Sequence, residues 1–278
     1  MNDIRVLDLD EIRQLVGWAG EEGWNPGHGD AVPFQVADPD GFFGLFVDGR
    51  MVSAISAVAY DDAFGFIGLY ITRPDMRGKG YGAKVWDHGM AYLGNRTIGL
   101  DGVPEQQENY GRMGFVTDYG TARWSGMVKP GCLAEASASR SFETDDFDAV
   151  VQLDRDCFMA SRRDFLRAWL AQAQSARVVV TDGRLVGFGT ARRCIDGYKV
   201  GPLFARSPDI ACSLLGGIAD DLAGSRIDID CPLSQTRFIA ALETAGLSRG
   251  FETARMFRGA VPVIDGGCVF GVTSLELG

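Results

Sequence analysis

Phe66-Ile67-Gly68-Leu69-Tyr70-Ile71, followed shortly by Arg77-Gly78-Lys79-Gly80-Tyr81-Gly82, joins an apolar run to a glycine-rich one. The apolar run lies between Gly65 and Pro74 and reads as a buried strand. Beyond the glycines, Ala83, Val85, Trp86, Met90 and Leu93 recur at helical spacing, and Gly94-Asn95 supply a stop signal. A glycine-rich turn that opens a helix presents free backbone N–H groups and the positive end of the helix dipole. Without β-carbons in the way, phosphate oxygens can approach that backbone. Arg77 and Lys79 add positive charge. The stretch therefore points to a cofactor carrying a pyrophosphate.

Two common phosphate loops do not fit. Gly78-x-Gly80-x-Gly82 has the wrong spacing for the dinucleotide fingerprint, and Gly80 is followed by Tyr81 where a Walker loop needs Lys-Ser/Thr. Downstream, Thr97–Asp101 reads as a strand, and Pro104 and Glu105 suit the first turn of a helix running to Arg112. Gly114 ends that helix, and Phe115–Tyr119 resumes as a strand. The chain thus carries Arg-x-x-Gly-x-Gly between strand and helix, then Asn109-Tyr110-x-x-x-Gly114-Phe115 at a helix end. In that order the two motifs resemble the GNAT superfamily of N-acetyltransferases over roughly the first half of the sequence.

The resemblance implies roles for particular residues. Arg77, Gly78, Lys79, Gly80, Tyr81 and Gly82 would hold the pyrophosphate of acetyl-CoA, and backbone N–H groups at Leu69 and Ile71 would hold the thioester carbonyl. Tyr110 would protonate the departing thiolate, a task open to a phenol within hydrogen-bond reach of the sulfur. A core aromatic packed before Gly114 is the structural alternative. Many relatives carry a carboxylate base on the fourth strand near the position of Gly68, yet this chain has no acidic residue between Asp62 and Asp75. Asp101 and the Glu21-Glu22 pair are substitutes, each also readable as an ordinary loop or helix-end charge. An asparagine that many relatives place before the tyrosine is missing here, where Val103 and Pro104 stand, and Gln106 or Asn109 would replace it. Asn109 is accordingly a candidate for cofactor binding.

A chain of 278 residues that is 46% hydrophobic has room for two domains of ordinary size. Its formal charge of −10 argues against nonspecific nucleic-acid binding and suits a cationic or amine substrate. There is no apolar run of the roughly 20 residues needed to span a bilayer, and the first residues are acidic, so a cytoplasmic protein is expected. Six scattered cysteines and two histidines (His28, His88) form no metal-binding spacing, and reduced thiols are expected.

The second half echoes the first. Val47-Asp48-Gly49-Arg50-Met51-Val52 reappears as Thr181-Asp182-Gly183-Arg184-Leu185-Val186, a hairpin turn between apolar strands. Leu100-Asp101-Gly102-Val103-Pro104 has a partner in Ile229-Asp230-Cys231-Pro232, and Thr121-Ala122-Arg123 in Thr253-Ala254-Arg255. Three echoes in one order suggest two copies of one fold, with a linker around Lys129 to Ser139 where Pro130, Gly131 and an Ala/Ser-rich stretch interrupt the pattern. In the second copy Ala205-Arg206-Ser207-Pro208-Asp209 stands where the glycine loop would be. It is expected not to bind acetyl-CoA in the usual way and to serve a structural or substrate-defining role. The chain resembles tandem GNAT proteins with a degenerate second domain, and Tyr198-Lys199-x-Gly201-Pro202-Leu203-Phe204 and Val269-Phe270-Gly271-Val272-Thr273 look like that group's signatures.

The expected architecture is α/β of the α+β type: two GNAT-like domains, 1–129 and 136–278, each a mixed, mostly antiparallel sheet flanked by helices. The resemblance implies an acetyl-CoA-dependent transferase acting on a primary amine of a small molecule through a ternary complex. A non-catalytic acyl-CoA sensor and a transferase for larger acyl groups are the alternatives. Trp24 and Asn25, in the Gly23–Gly29 loop, are candidates for binding the acceptor, with a turn whose tryptophan caps the core as the plain reading. Asp228 and Asp230 alternate on one strand face, where a cationic ligand or salt bridges could meet them. Exposed apolar helix faces leave a homodimer open.

Overall fold

The computed structural model describes residues 2–129, 133, 139–261, 264 and 266–278. Pro130, Gly131 and Cys132 of the expected linker lie outside the described residues. The first half runs β1 (Asn2–Val6), α1 (Leu9–Glu21), α2 (Ala31–Ala37), β2 (Phe42–Val47), β3 (Arg50–Ala59), β4 (Phe64–Thr72), α3 (Tyr81–Leu93), β5 (Thr97–Gly102), α4 (Pro104–Arg112) and β6 (Val116–Gly126). The second half repeats this order as β7 (Arg140–Ser141), α5 (Phe147–Cys157), α6 (Arg163–Gln172), β8 (Ser175–Thr181), β9 (Arg184–Arg193), β10 (Tyr198–Ala205), α7 (Pro208–Asp221), β11 (Ile227–Pro232), α8 (Thr236–Thr244) and β12 (Ser248–Arg258). A last short strand, β13 (Val269–Gly271), follows.

Local chemistry explains the boundaries. Asp8 and Glu11 form a reciprocal capping box that starts α1, and Ser207 caps α7. The two echoed hairpin turns place Asp48-Gly49 and Asp182-Gly183 at positive φ, the conformation a two-residue turn of matching twist requires. Helix α3 lays Val85, Trp86 and Leu93 against Ile55, Ala57, Ile67 and Leu100 of the sheet. Among the described residues, no helix is long and apolar enough to cross a membrane.

The strands form one continuous sheet in the order β1-β2-β3-β4-β5-β12-β6-β11-β10-β9-β8-β7, with β13 against β10. It is mixed and mostly antiparallel: β4 with β5 and β10 with β11 pair in parallel, and the other pairs are antiparallel. The order shows that the halves exchange strands. β12 of the second half lies beside β5 of the first, β6 of the first lies beside β11 of the second, and β6 and β12 pair with each other at the centre. The expected domains therefore interlock.

The sequence echoes mark this exchange. Arg255 stands opposite Asp101 across the β12–β5 ladder and Arg123 opposite Asp230 across the β6–β11 ladder. Each arginine clasps both oxygens of its aspartate, at 2.9 and 2.9 Å for Arg255–Asp101 and 2.8 and 2.9 Å for Arg123–Asp230. Both pairs are buried. Such fork-to-fork bonding satisfies charges that would be costly to bury alone, and it selects one register for each exchanged strand.

Candidate active site

β4 and β5 pair only over Phe64–Ile67 and Thr97–Leu100, and beyond that the two strands diverge. At the same level the β3–β4 ladder slips by one residue, Ala54 facing Ile71 and Ser56 facing Gly68. Leu69 sits in this bulge with φ +43, a strained value for a side chain of its size. A bulge leaves backbone groups without ladder partners and re-aims them, and Leu69 lines the opening between the strands. That opening is a cavity of about 560 Å³, whose floor includes Ile67, Gly68, Leu69, Tyr70 and Ile71.

Arg77 lines the same cavity, and the glycine loop continues from it. Gly78 and Gly80 have φ +75 and +77, and a β-carbon on either would meet nothing within 4 Å. Gly80 starts α3 without any side-chain cap, so the first N–H groups of a 13-residue helix stay available at an exposed cradle. The Arg77 side chain donates to the Thr72 carbonyl at 3.0 Å and pairs with Glu22. Lys79 donates to the Asp75 carbonyl at 3.1 Å. Gly82 has a different constraint: a β-carbon there would crowd the Tyr70 hydroxyl.

Tyr110 reaches the cavity from α4. Its ring stacks on Trp86, with centroids 5.5 Å apart, and meets Phe115 edge-on. Burial, with a smaller contribution from Tyr70, pushes its hydroxyl up to about pKa 12, so the phenol holds its proton. Tyr110 is thus a packed aromatic that also lines the cavity.

Four acidic residues line the cavity: Glu22, Asp101, Glu105 and Glu276. Asp101 does not provide the free proton acceptor expected of it, because both of its oxygens accept from Arg255 and its side chain is fully buried. Burial raises the Asp101 pKa, and the Arg255 charge opposes that rise. Glu22 is tied to Arg77, and Glu105 is exposed in the first turn of α4. Glu276 was missed by the sequence reading. It is 4% exposed, and its Oε2 has no hydrogen-bond partner. Its only sequence signal was the bare fourth strand, since nothing in Leu275-Glu276-Leu277 points to a site 200 residues earlier.

The acceptor candidates divide. Trp24 lines the cavity, half-buried, while its carbonyl accepts from Arg123 and Lys199 at 3.1 and 3.2 Å. Asn25 does not line it. Its amide nitrogen donates to the Asp196 carbonyl and to Asp228, and its oxygen accepts from the Asp196 N–H, so it clamps the halves together. Asn109 is likewise outside the lining, exposed and donating to Gln106 at 2.9 Å, whereas Gln106 faces the cavity. Asp228 accepts from Ser125 and Asn25 and Asp230 pairs with Arg123, so both are structural. Phe251 and Thr253 of the exchanged β12, with Leu275 and Glu276, complete the wall from the second half.

The corresponding opening of the second half is filled. β10 and β11 pair over Tyr198–Val200 and Ile227–Ile229, and β13 then lies against β10, with Gly271 facing Leu203. A β-carbon on Gly271 would stand 3.1 Å from both Ile229 and Leu203, and the next N–H, of Val272, donates to Asp230. The space that is a cavity in one half is protein in the other.

Family models match both halves: the acetyltransferase (GNAT) family over residues 9–115 and the acetyltransferase (GNAT) domain over 150–271. The chain is 32% identical over 276 residues to holothin acyltransferase of Pseudoalteromonas sp. (strain SANK 73390), covering 99% of this chain and 94% of that one. Among solved structures, a Pyrococcus horikoshii protein assigned as an acetyltransferase superposes with a TM-score of 0.82 at 22% identity, covering 100% of this chain and 96% of that one. A tandem GNAT protein from the clavulanic acid biosynthesis pathway superposes with a TM-score of 0.65 at 14% identity, covering 95% and 100%.

Proposed function

From the premise that this chain belongs to the GNAT acetyltransferase family, we propose that it transfers the acetyl group of acetyl-CoA directly to a primary amine of a small molecule. The observation that carries this reading is the convergence of the bulged Leu69 backbone, Tyr110 and Arg77 on one cavity. The residues present fit acyl-CoA: an uncapped helix start with two left-handed glycines suits a pyrophosphate, and a strained, re-aimed strand suits a carbonyl.

Bound acetyl-CoA supplies an acyl group activated as a thioester. Gly78, Lys79, Gly80, Tyr81 and Gly82 would anchor its phosphates with Arg77. Backbone N–H groups around Leu69 and Ile71 would polarise the carbonyl from fixed positions, so no reorganisation is needed as charge develops there. Tyr110 would hold a proton for the sulfur, and a phenol that stays neutral is the form the task requires. Trp24 and Phe251 would flank the acceptor. A relative named for acyl transfer supports a transferase over a sensor.

The test is calorimetric titration with acetyl-CoA, followed by thiol release against a panel of polyamines, amino acids and aminoglycosides. Binding with amine-dependent release is expected. Binding without release would favour the sensor, and no binding would overturn the reading.

A further inference from the structure

Among the acidic residues lining the cavity, Asp101 is committed to Arg255, and Glu22, paired with Arg77, and Glu105 are both exposed. Glu276 alone of the four combines burial with an unpartnered oxygen. An amine must lose a proton when it forms an amide, and the cavity has no other buried, uncommitted carboxylate among the described residues. We propose that Glu276 is the general base of this site, delivered to the first half by the segment that follows β13. The proposal rests on the acyl-transfer reading above.

The placement of Glu276 is built, since each neighbour of its segment is fixed. Arg192 donates to the Thr273 carbonyl at 3.3 Å, and Arg162 to the Thr273 hydroxyl at 2.6 Å and the Gly278 carbonyl at 3.3 Å. Tyr60 donates to the Leu277 carbonyl at 2.8 Å, and the Ser274 hydroxyl accepts from the Leu277 N–H. Leu277 is fully buried against the cluster that holds Leu69 and Ile71. Gly68 completes the fit: a β-carbon there would overlap the Glu276 carbonyl oxygen and stand 2.7 Å from its carbonyl carbon. The strand is bare at Gly68 because the backbone that carries the carboxylate lies on it.

In the proposed step the amine nitrogen bonds to the acyl carbon, the carbon–sulfur bond breaks, Glu276 accepts one amine proton, and the sulfur takes the Tyr110 proton. Glu276 then loses its proton to solvent and Tyr110 regains one. Glu276 must be an anion to accept that proton. The ionisable groups in its field are Asp101 on β5, Arg123 on β6, Arg192 on β9, Cys194 just after it and Lys199 on β10.

The experiment compares wild type with Glu276→Gln on the panel amine the wild type accepts best, from acid to alkaline pH, alongside acetyl-CoA affinity by calorimetry and thermal melting. The expected loss of turnover at neutral pH is about 10²- to 10⁴-fold, shrinking as pH rises and solvent deprotonates the amine, with affinity unchanged. Retained turnover, or a deficit independent of pH, would overturn the assignment and leave Glu276 a structural counter-charge. If Glu276→Gln does not fold, Glu276→Asp keeps the charge with one methylene less reach. Turnover about tenfold lower is expected of it, and wild-type turnover would overturn the proposal. A wild type that releases no thiol with any amine would instead remove the parent reading, and this assignment with it.

Discussion

The backbone of Glu276 lies directly on Gly68: a β-carbon there would overlap the Glu276 carbonyl oxygen and stand 2.9 Å from its Cα. Gly68→Ala should therefore destabilise the protein by about 1–3 kcal/mol, because a pinned segment and a central strand cannot both keep their places. Urea denaturation would measure it. A change below a few tenths of a kcal/mol would mean that the segment shifts freely.

Tyr110→Phe keeps the ring stacked on Trp86 and removes the hydroxyl. Turnover should fall about 10²- to 10⁴-fold with little change in acetyl-CoA affinity. Because burial raises the Tyr110 pKa to about 12, its neutral form persists until pH climbs through that value. Wild-type turnover should consequently show no fall between about pH 8 and about pH 10, the range in which an ordinary phenol begins to ionise. An alkaline fall there that Tyr110→Phe abolishes would contradict the assignment.

Gly80 holds φ +77 at the start of α3 with open space where a side chain would go. Gly80→Val should reshape the loop rather than clash, since a β-branched residue resists the left-handed region by about 1–2 kcal/mol. Acetyl-CoA affinity should drop about tenfold while the melting temperature falls by only the few degrees that strain costs, read by calorimetry and thermal denaturation. Equal affinity would place the phosphates elsewhere.

One acetyl-CoA per chain is expected, because β13 fills the opening between β10 and β11 that corresponds to the cavity between β4 and β5. Calorimetric stoichiometry checks this directly, and a value of two would show that the second half also binds.

Asp101→Asn should cost about 3–5 kcal/mol by leaving the Arg255 guanidinium buried without its counter-charge. The double change Asp101→Leu with Arg255→Met should recover most of that loss, since the charge and its partner leave together. Chemical denaturation of both variants distinguishes this from a local packing defect, for which the double change would be at least as harmful as the single one.

The motifs made of neighbours in the chain were readable from sequence. Strand, glycine loop and helix around Arg77–Gly82 appear where periodicity and helix-stop rules place them, because each depends on backbone preferences a few residues apart. The repeat was also readable, since both copies keep the same turn residues and the same Asp and Arg. The use of those residues was not. Asp101 looked like a free acid until Arg255, 154 positions away, was found on both of its oxygens. Asn25 looked exposed to an acceptor until Asp196 and Asp228 were found on its amide.

By itself, then, the sequence determined the GNAT fold through the resemblance of its two motifs, the duplication through its ordered echoes, and the glycine-rich loop and its loss from the second copy through glycine placement. Only the tertiary structure decided that the halves exchange β6 and β12, that β13 closes one opening, and that Glu276 enters the other. Those features depend on which buried charges find partners and which stay unpaired. Burial and pairing are properties of segments brought together from distant parts of the chain, and they have no local signature.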